Sequence, residues 1–412
     1  MAGSPSASVN SRPPIAVTGV GVISAAGAGL SALSAALQTG RCCARPAVGA
    51  LPVRDVAAIP SPVAPHPSFP DDRKAWLALA ALDEALGDAG LAERGPRRRS
   101  VFLGTGLSSI TPAELAEDLY PHLIEGRFDR AAMGRDLSPS RAGPRRHQPE
   151  RVTDHIAERV GADGPTGTNF SACAAAAMAI AEGARALQRG ECDIAIVGGH
   201  DSMLHPMGIL SFVVLGALAE HACRPFDRSR HGFLIGEGAA ILVLERAEDA
   251  RRRGASIRAA FLGAGTSVDA WNITAPHPDG VGAELSMRRA LADAGLSAAD
   301  VGYVNAHGTG TPVGDVAEAR AIHRLLGEVP VSSIKGAVGH TIAAAGAVEA
   351  AACIAALQGG WLPGSTGLQT PDPDCPINAL ATPVQQQVEV VLSNSFGFGG
   401  QNCTLLFGRH HP

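Results

Sequence analysis

The chain has 412 residues, of which 46% are hydrophobic, 18% charged and 4% aromatic, with a formal net charge of −5. That is the balance of a globular protein with enough length to bury a large core. It offers no basic field for nucleic acid or an anionic membrane, and no uncharged apolar run long enough for a membrane-crossing helix.

Residues 1–13 are small and polar with no apolar centre, so they read as a flexible tail and not as a secretory signal. PIAVTGVGVIS (14–24) is a β-branched strand ending in glycine. Helical patterns follow at Gly29–Leu37 and Lys74–Ala89, and SVFLGTG (100–106) is a second strand. Residues 135–152 are basic and proline-containing, a surface loop leading into a helix. The Ala-rich stretch 174–188 is helical, CDIAIVGGH (192–200) is a buried strand, 224–236 is a polar loop, and GAAILVLE (238–245) is another buried strand.

After a charged crossover at 246–256, a comparable series returns. IRAAFLGAG (257–265) is a strand, Gly282–Ala294 a helix, and VGYVNAHG (301–308) a strand running into a glycine-rich turn. Val316–Leu326 is helical, PVSSIK (330–335) a strand, and AAAGAVEAAACIAALQ (343–358) a small-residue helix. The end, 388–408, is two strands around the turn NSFGFGG. Alternating strands and helices predict an α/β protein with a parallel or mixed sheet. The shared rhythm divides the chain at 14–256 and 257–412 and suggests a structural duplication.

The eight cysteines are Cys42, Cys43, Cys173, Cys192, Cys223, Cys353, Cys375 and Cys403. They form no CxxC pair and no metal-like spacing, so no metal site is expected, and a reduced, cytoplasmic setting is. One stands apart by position. Cys173, in TNFSACAAAAMAIAEGARAL, falls where an irregular segment meets a helix, so the positive end of that helix is expected to favour its thiolate. The bland alternative is a small buried hydrophobe.

Two histidines stand in glycine-rich turns directly after strands, where open α/β sheets bind ligands. His307 lies in NAHGTGTPVGD, which also holds Thr309, Thr311 and Asp315. It can give or take a proton near neutrality, or merely cap a loop. His340 lies in SSIKGAVGHTIAAAGAVEA, five residues after Lys335 and nine before Glu349. Glu349 on the following helix is placed to hold Lys335; the alternative is an ordinary surface ion pair. In NSFGFGG (394–400) glycines separate two phenylalanines. Phe396 reads as core, and Phe398, flanked by glycine, as a candidate gate. A thiol, two imidazoles and a turn rich in backbone donors suit acyl transfer.

The motifs VTGVGVIS, SAC around Cys173, RPFDRSRHGFLIGEGAAILVLE, NAHGTGTPVGD, SSIKGAVGHTIAAAGAVEA and NSFGFGG, in this order over nearly the whole chain, resemble the β-ketoacyl-(acyl carrier protein) synthase family, in its Cys-His-His branch. The resemblance implies the thiolase fold: a duplicated αβαβα five-layer architecture with two mixed five-stranded sheets. It implies Cys173 as nucleophile, His307 and His340 as decarboxylation histidines, Lys335 beside them and Glu349 as its partner. It also implies an oxyanion hole from the N–H groups of Cys173 and Phe398, and needs no metal or organic cofactor. The implied reaction is decarboxylative Claisen condensation of an acyl-enzyme with malonyl-acyl carrier protein, in fatty-acid or polyketide synthesis. A non-elongating acyltransferase and a non-catalytic chain-length partner subunit are the alternatives.

The implied partners are acyl- and malonyl-loaded carrier proteins and a second subunit, in a homodimer or a heterodimer with a related chain. The basic cluster Arg141, Arg145, Arg146 and Arg151 offers a docking site for the acidic carrier. Two departures stand out: Gln401 replaces the threonine that usually precedes the asparagine of the gating turn, and an unbroken alanine run follows Cys173. GLSSITPAE (106–114) stands where the resemblance puts the wall of the acyl pocket.

Overall fold

Ten β-branched and small residues in a row make strand β1, Ile15–Ser24, which is buried along its whole length, as a strand covered on both faces must be. The structure is a computed structural model and describes residues 13–48, 53–106, 120–135 and 148–411. Most of the expected tail, the loop at 136–147 and residues 107–114 of the expected pocket wall lie outside those residues.

Four more strands complete the first array: β2 (Arg99–Thr105), β3 (Thr166–Asn169), β4 (Ile194–Ser202) and β5 (Glu237–Arg246). They pair in the order β3-β2-β4-β5-β1, the first two contacts parallel and the last two antiparallel. The second array uses β6 (Ala259–Val268), β7 (Tyr303–Asn305), β8 (Pro330–Ser332), the short β9 (Asn378–Ala379), β10 (Val390–Phe396) and β11 (Gln401–Gly408). Its order β8-β7-β10-β11-β6 repeats the same two parallel and two antiparallel contacts, and β9 extends it beyond β8. The duplication suggested by the sequence rhythm is therefore present. β1 and β6 meet antiparallel over three residue pairs, which joins the two arrays edge to edge.

Helix α1 spans Leu30–Gln38. Helices α2 (Arg73–Asp88) and α3 (Arg151–Val160) cover one face of the first array, with Leu77, Leu82 and Ile156 on Ile196 and Ile241. Between the arrays lie α4 (Ala175–Gln188) and, from the second half, a long Ala-rich helix described below. Helix α5 is Pro206–Val214. Helices α6 (Val281–Ala294) and α7 (Pro312–Leu326) cover the outer face of the second array, where Met287 and Ile322 meet Leu392 and Leu406. The central partner of α4 is α8, Ala345–Gly359. The two central helices pack through alanine and glycine: a Cβ added at Gly346 would come within 2.8 Å of the Ala177 Cβ. Five layers result, as expected. Residues 342–359 have the length and apolarity to cross a membrane, yet 89% of that stretch is buried inside the fold.

Two expected strands are shorter than read, and the difference builds the site. The strand expected over 301–308 ends at Asn305, so His307 stands just past it; that expected over 330–335 ends at Ser332, and Lys335 opens a single helical turn, Lys335–Val338. Strand β3 and helix α5 have no counterpart in the sequence reading. Thr166–Asn169 is too short and polar to show a strand period, and the apolar run of α5 shows no clear period.

Candidate active site

Cys173 lies in a one-turn helix, Ala172–Ala174, at the entry of α4. Ala172 before it takes φ +47°, the left-handed region that most side chains avoid, and this sharp turn presents the thiol. The sulfur is buried at a cavity that also has His307, His340, Thr309, Thr311, Asp315, Phe396 and Phe398 on its walls.

His340 Nε2 lies 3.1 Å from Cys173 Sγ. Its other nitrogen, Nδ1, accepts the N–H of Ile342 at 3.3 Å. An imidazole whose Nδ1 accepts carries its proton on Nε2, so the N–H of His340 faces the sulfur. His307 has the same polarity: its Nδ1 lies 3.3 Å from Lys335 Nζ, an ammonium donor, which leaves Nε2–H to the cavity. The two rings are 5.4 Å apart and nearly perpendicular. Burial, with the Lys335 charge adding to it, holds both imidazoles well below their ordinary pKa. Both are therefore neutral donors at pH 7.

Lys335 is itself fully buried. Its ammonium also donates to the His307 carbonyl at 2.6 Å and to Glu349 Oε1. The pairing expected of Lys335 and Glu349 is thus made. Burial raises the Glu349 carboxyl to about 7 although the lysine pulls it down. Asp315 accepts the N–H groups of Phe226 (2.7 Å) and Gly310 (3.0 Å), with Arg230 Nε at 3.7 Å, and burial raises it to about 7. It pins the His307 turn; Thr309 and Thr311, joined hydroxyl to hydroxyl at 3.0 Å, line that turn on the cavity side.

The turn after β10 closes the site. Gly399 and Gly400 take φ +86° and +78°, which lets the chain reverse within four residues. The Phe398 N–H is directed at Cys173 Sγ, and the Phe398 ring packs into the same cluster as Cys173. Phe396, expected in the core, is only partly buried: it packs on the outer cluster and also lines the cavity, 5.8 Å from the His307 ring.

One expectation fails. The entry of α4 does not make Cys173 a resting thiolate: burial pushes the thiol up to about 12 and outweighs the Lys335 charge and the Phe398 N–H. At a buried sulfur, desolvating the anion costs more than the helix end offsets.

Sequence reasoning missed three residues. Glu318 is buried, and its two oxygens take the N–H groups of His307 and Gly308, both at 2.8 Å, while Asn394 Nδ2 donates to it at 3.1 Å. Its signal was its spacing, three residues after Asp315 on one helix face. Phe233 stacks edge-on against His340 at 4.9 Å. Asp201, at the end of β4, reaches the His340 turn. Of the basic cluster, Arg151 turns into the fold, its guanidinium 4.8 Å over the Phe69 ring and donating to the Ser68 carbonyl; Arg141, Arg145 and Arg146 lie outside the described residues.

Residues 71–250 match the family model of the β-ketoacyl synthase N-terminal domain, and residues 258–369 that of the C-terminal domain. The chain is 37% identical over 351 residues to 3-oxoacyl-[acyl-carrier-protein] synthase 2 of Staphylococcus aureus, covering 82% of this chain and 84% of that protein. It is 40% identical over 348 residues to the mitochondrial 3-oxoacyl-[acyl-carrier-protein] synthase of Arabidopsis thaliana, covering 80% and 73%. Among solved structures it resembles the ishigamide ketosynthase/chain length factor, with a TM-score of 0.85 and 32% identity over 97% of this chain and all of that one.

Proposed function

The chain belongs to the β-ketoacyl synthase family, and from this premise we propose the roles of its residues in a decarboxylative condensation. It has the thiolase fold and is an acyl-transferring condensing enzyme of fatty-acid or polyketide synthesis. Cys173 carries the growing acyl group. Its sulfur attacks an acyl thioester while the N–H groups of Cys173 and Phe398 bind the carbonyl oxygen of the tetrahedral intermediate. That intermediate collapses by expelling the carrier thiolate, which takes up the proton lost by the thiol, and the acyl group stays on the sulfur.

A malonyl thioester then enters. The two Nε2–H groups of His307 and His340 hydrogen-bond its thioester carbonyl. As the carboxylate leaves as carbon dioxide, its C–C electron pair moves into an enolate whose oxygen those donors stabilise. The enolate carbon attacks the acyl-cysteine carbonyl, forms the new C–C bond and expels the Cys173 thiolate, which takes a proton from water. Lys335 and Glu349 keep His307 in the donor tautomer. The observation that carries this reading is the matched polarity of the two imidazoles: each has its Nδ1 occupied by a donor and turns Nε2 to the cavity.

Acyl carrier proteins are the proposed partners, as the names of the curated relatives indicate for those enzymes. A second subunit is also proposed, and β3 supports it: it is the last strand of its array, and Phe170 beside it is half exposed. The resembling ketosynthase/chain length factor makes a related chain a candidate for that subunit. Intact mass after incubation with a panel of acyl carrier thioesters tests the reading. An acyl adduct on Cys173, followed by carbon dioxide release and a two-carbon extension on adding malonyl carrier, is expected. An adduct that malonyl carrier never discharges would favour a non-elongating acyltransferase.

A further inference from the structure

Asp201, the last residue but one of β4, is fully buried. One carboxylate oxygen, Oδ1, accepts the N–H of Ser202 at 2.8 Å; the other, Oδ2, crosses into the second half and accepts the N–H of Ala343 at 3.1 Å. The charge of buried Lys74 offsets part of the cost of burying this carboxylate, and Lys74 Nζ donates to the Gly106 carbonyl at 3.3 Å. Gly106 leaves no room between them: a Cβ there would stand 2.2 Å from Asp201 Oδ2.

Ala343 follows Ile342, whose φ of +50° lies where β-branched residues are rarely found. This conformation turns the Ile342 N–H back onto His340 Nδ1, the contact that leaves the His340 proton on Nε2. A disfavoured backbone conformation persists only where its surroundings over-determine it. The charged acceptor on the next N–H is such a constraint, since hydrogen bonds to ions are the strong ones.

We propose that Asp201 is a positioning residue for His340: its carboxylate clamps the left-handed Ile342 turn from the opposite half and so keeps the imidazole in its donor tautomer, aimed at Cys173. The inference rests on the role given above to His340. It connects a residue that touches no substrate to the decarboxylation step, whereas at the Cys173 turn the Ser171 N–H is accepted by Asn169 Oδ1.

The test uses full-length Asp201→Asn and Gly106→Ala beside the unsubstituted protein. Gly106→Ala keeps the carboxylate but pushes it off the Ala343 N–H. Two half-reactions are followed: acyl transfer from acyl carrier thioester to Cys173 by intact mass, and carbon dioxide release from malonyl carrier protein. Decarboxylation is expected to fall about tenfold or more, part of the roughly 10²–10³-fold that losing such a donor outright costs, with acylation not reduced. The 15N shifts of His340 should lose the Nε2–H pattern. Should Asp201→Asn fail to melt cooperatively, Gly106→Ala decides. A folded variant that decarboxylates as well as the unsubstituted protein, or loses both half-reactions equally, overturns the inference. An unsubstituted protein that neither acylates nor decarboxylates refutes the proposed function instead.

Discussion

Residues 171–175 and 341–345 trace the same path, one in each half. Ser171 and Thr341 precede a one-turn helix; Ala172 and Ile342 both take a left-handed φ, +47° and +50°; α4 and α8 begin at Ala175 and Ala345. What fills the path differs. At the third position one half has the Cys173 thiol and the other the Ala343 methyl. The preceding aromatic position holds Phe170 in the first and His340 in the second. The silent turn spends its helix-entry N–H on the Asp201 carboxylate; the reactive turn stands against Phe398 and an open cavity. The duplicated scaffold thus brings two helix entries together around one sulfur. It supplies the nucleophile from one and the imidazole from the other, 3.1 Å apart.

The sharpest way to break this comparison is to swap the third positions. Cys173→Ala should abolish the acyl adduct and lower condensation about 10³-fold or more, as losing a covalent nucleophile does. Adding Ala343→Cys to it should restore nothing, because the backbone N–H at 343 is already taken by the Asp201 carboxylate and cannot serve an oxyanion as the Cys173 N–H would. Intact mass reads both, and an acyl adduct on residue 343 would show that the two turns are chemically equivalent.

A second difference lies one and a half turns into the central helices, where Glu349 on α8 matches Ala179 on α4. Glu349→Ala makes the helices alike but leaves the Lys335 ammonium buried without its carboxylate. Removing one member of a buried pair costs about 3–5 kcal/mol, so denaturant unfolding should shift by that amount. A shift under about 1 kcal/mol would mean that the pair is not what keeps Lys335 in place.

How much of this was legible in the chain depends on the range of the interaction. Strands β1, β4, β5 and β6 are long, mostly apolar runs, and the strand–helix rhythm predicted a helix-covered sheet and suggested its duplication, while the five layers were implied by the family resemblance. Cys173, His307, His340 and Lys335 announced themselves as reactive groups in glycine or alanine turns at element ends. Asp201 and Glu318 did not, because what marks them is the N–H each accepts from a distant turn: Ala343 for Asp201, His307 and Gly308 for Glu318. Glu318 shows locally only its spacing from Asp315, and Asp201, whose partner lies in the other half, has no local pattern at all. The Cys173 thiol was misread for the same reason. The helix end that favours its anion is visible in sequence, and the burial that opposes it is a property of the assembled cavity.

That burial gives the smallest of the expected effects and ties the two turns together. Alkylation needs the thiolate, and a thiol pushed up to about 12 is neutral at pH 7. Labelling of Cys173 by iodoacetamide should therefore climb about tenfold per pH unit between 7 and 9 without levelling, since the thiolate fraction grows by that factor below the pKa. The charges around the sulfur set the direction of two variants at fixed pH. Lys335 pulls the thiol down, so Lys335→Met should slow labelling; Asp201 pushes it up, so Asp201→Asn should speed it. Peptide mapping by mass reads all three. A plateau below pH 8 would mean that the thiolate is already formed at rest, with the proton held on an imidazole, and the neutral-donor assignment of His340 would then fall.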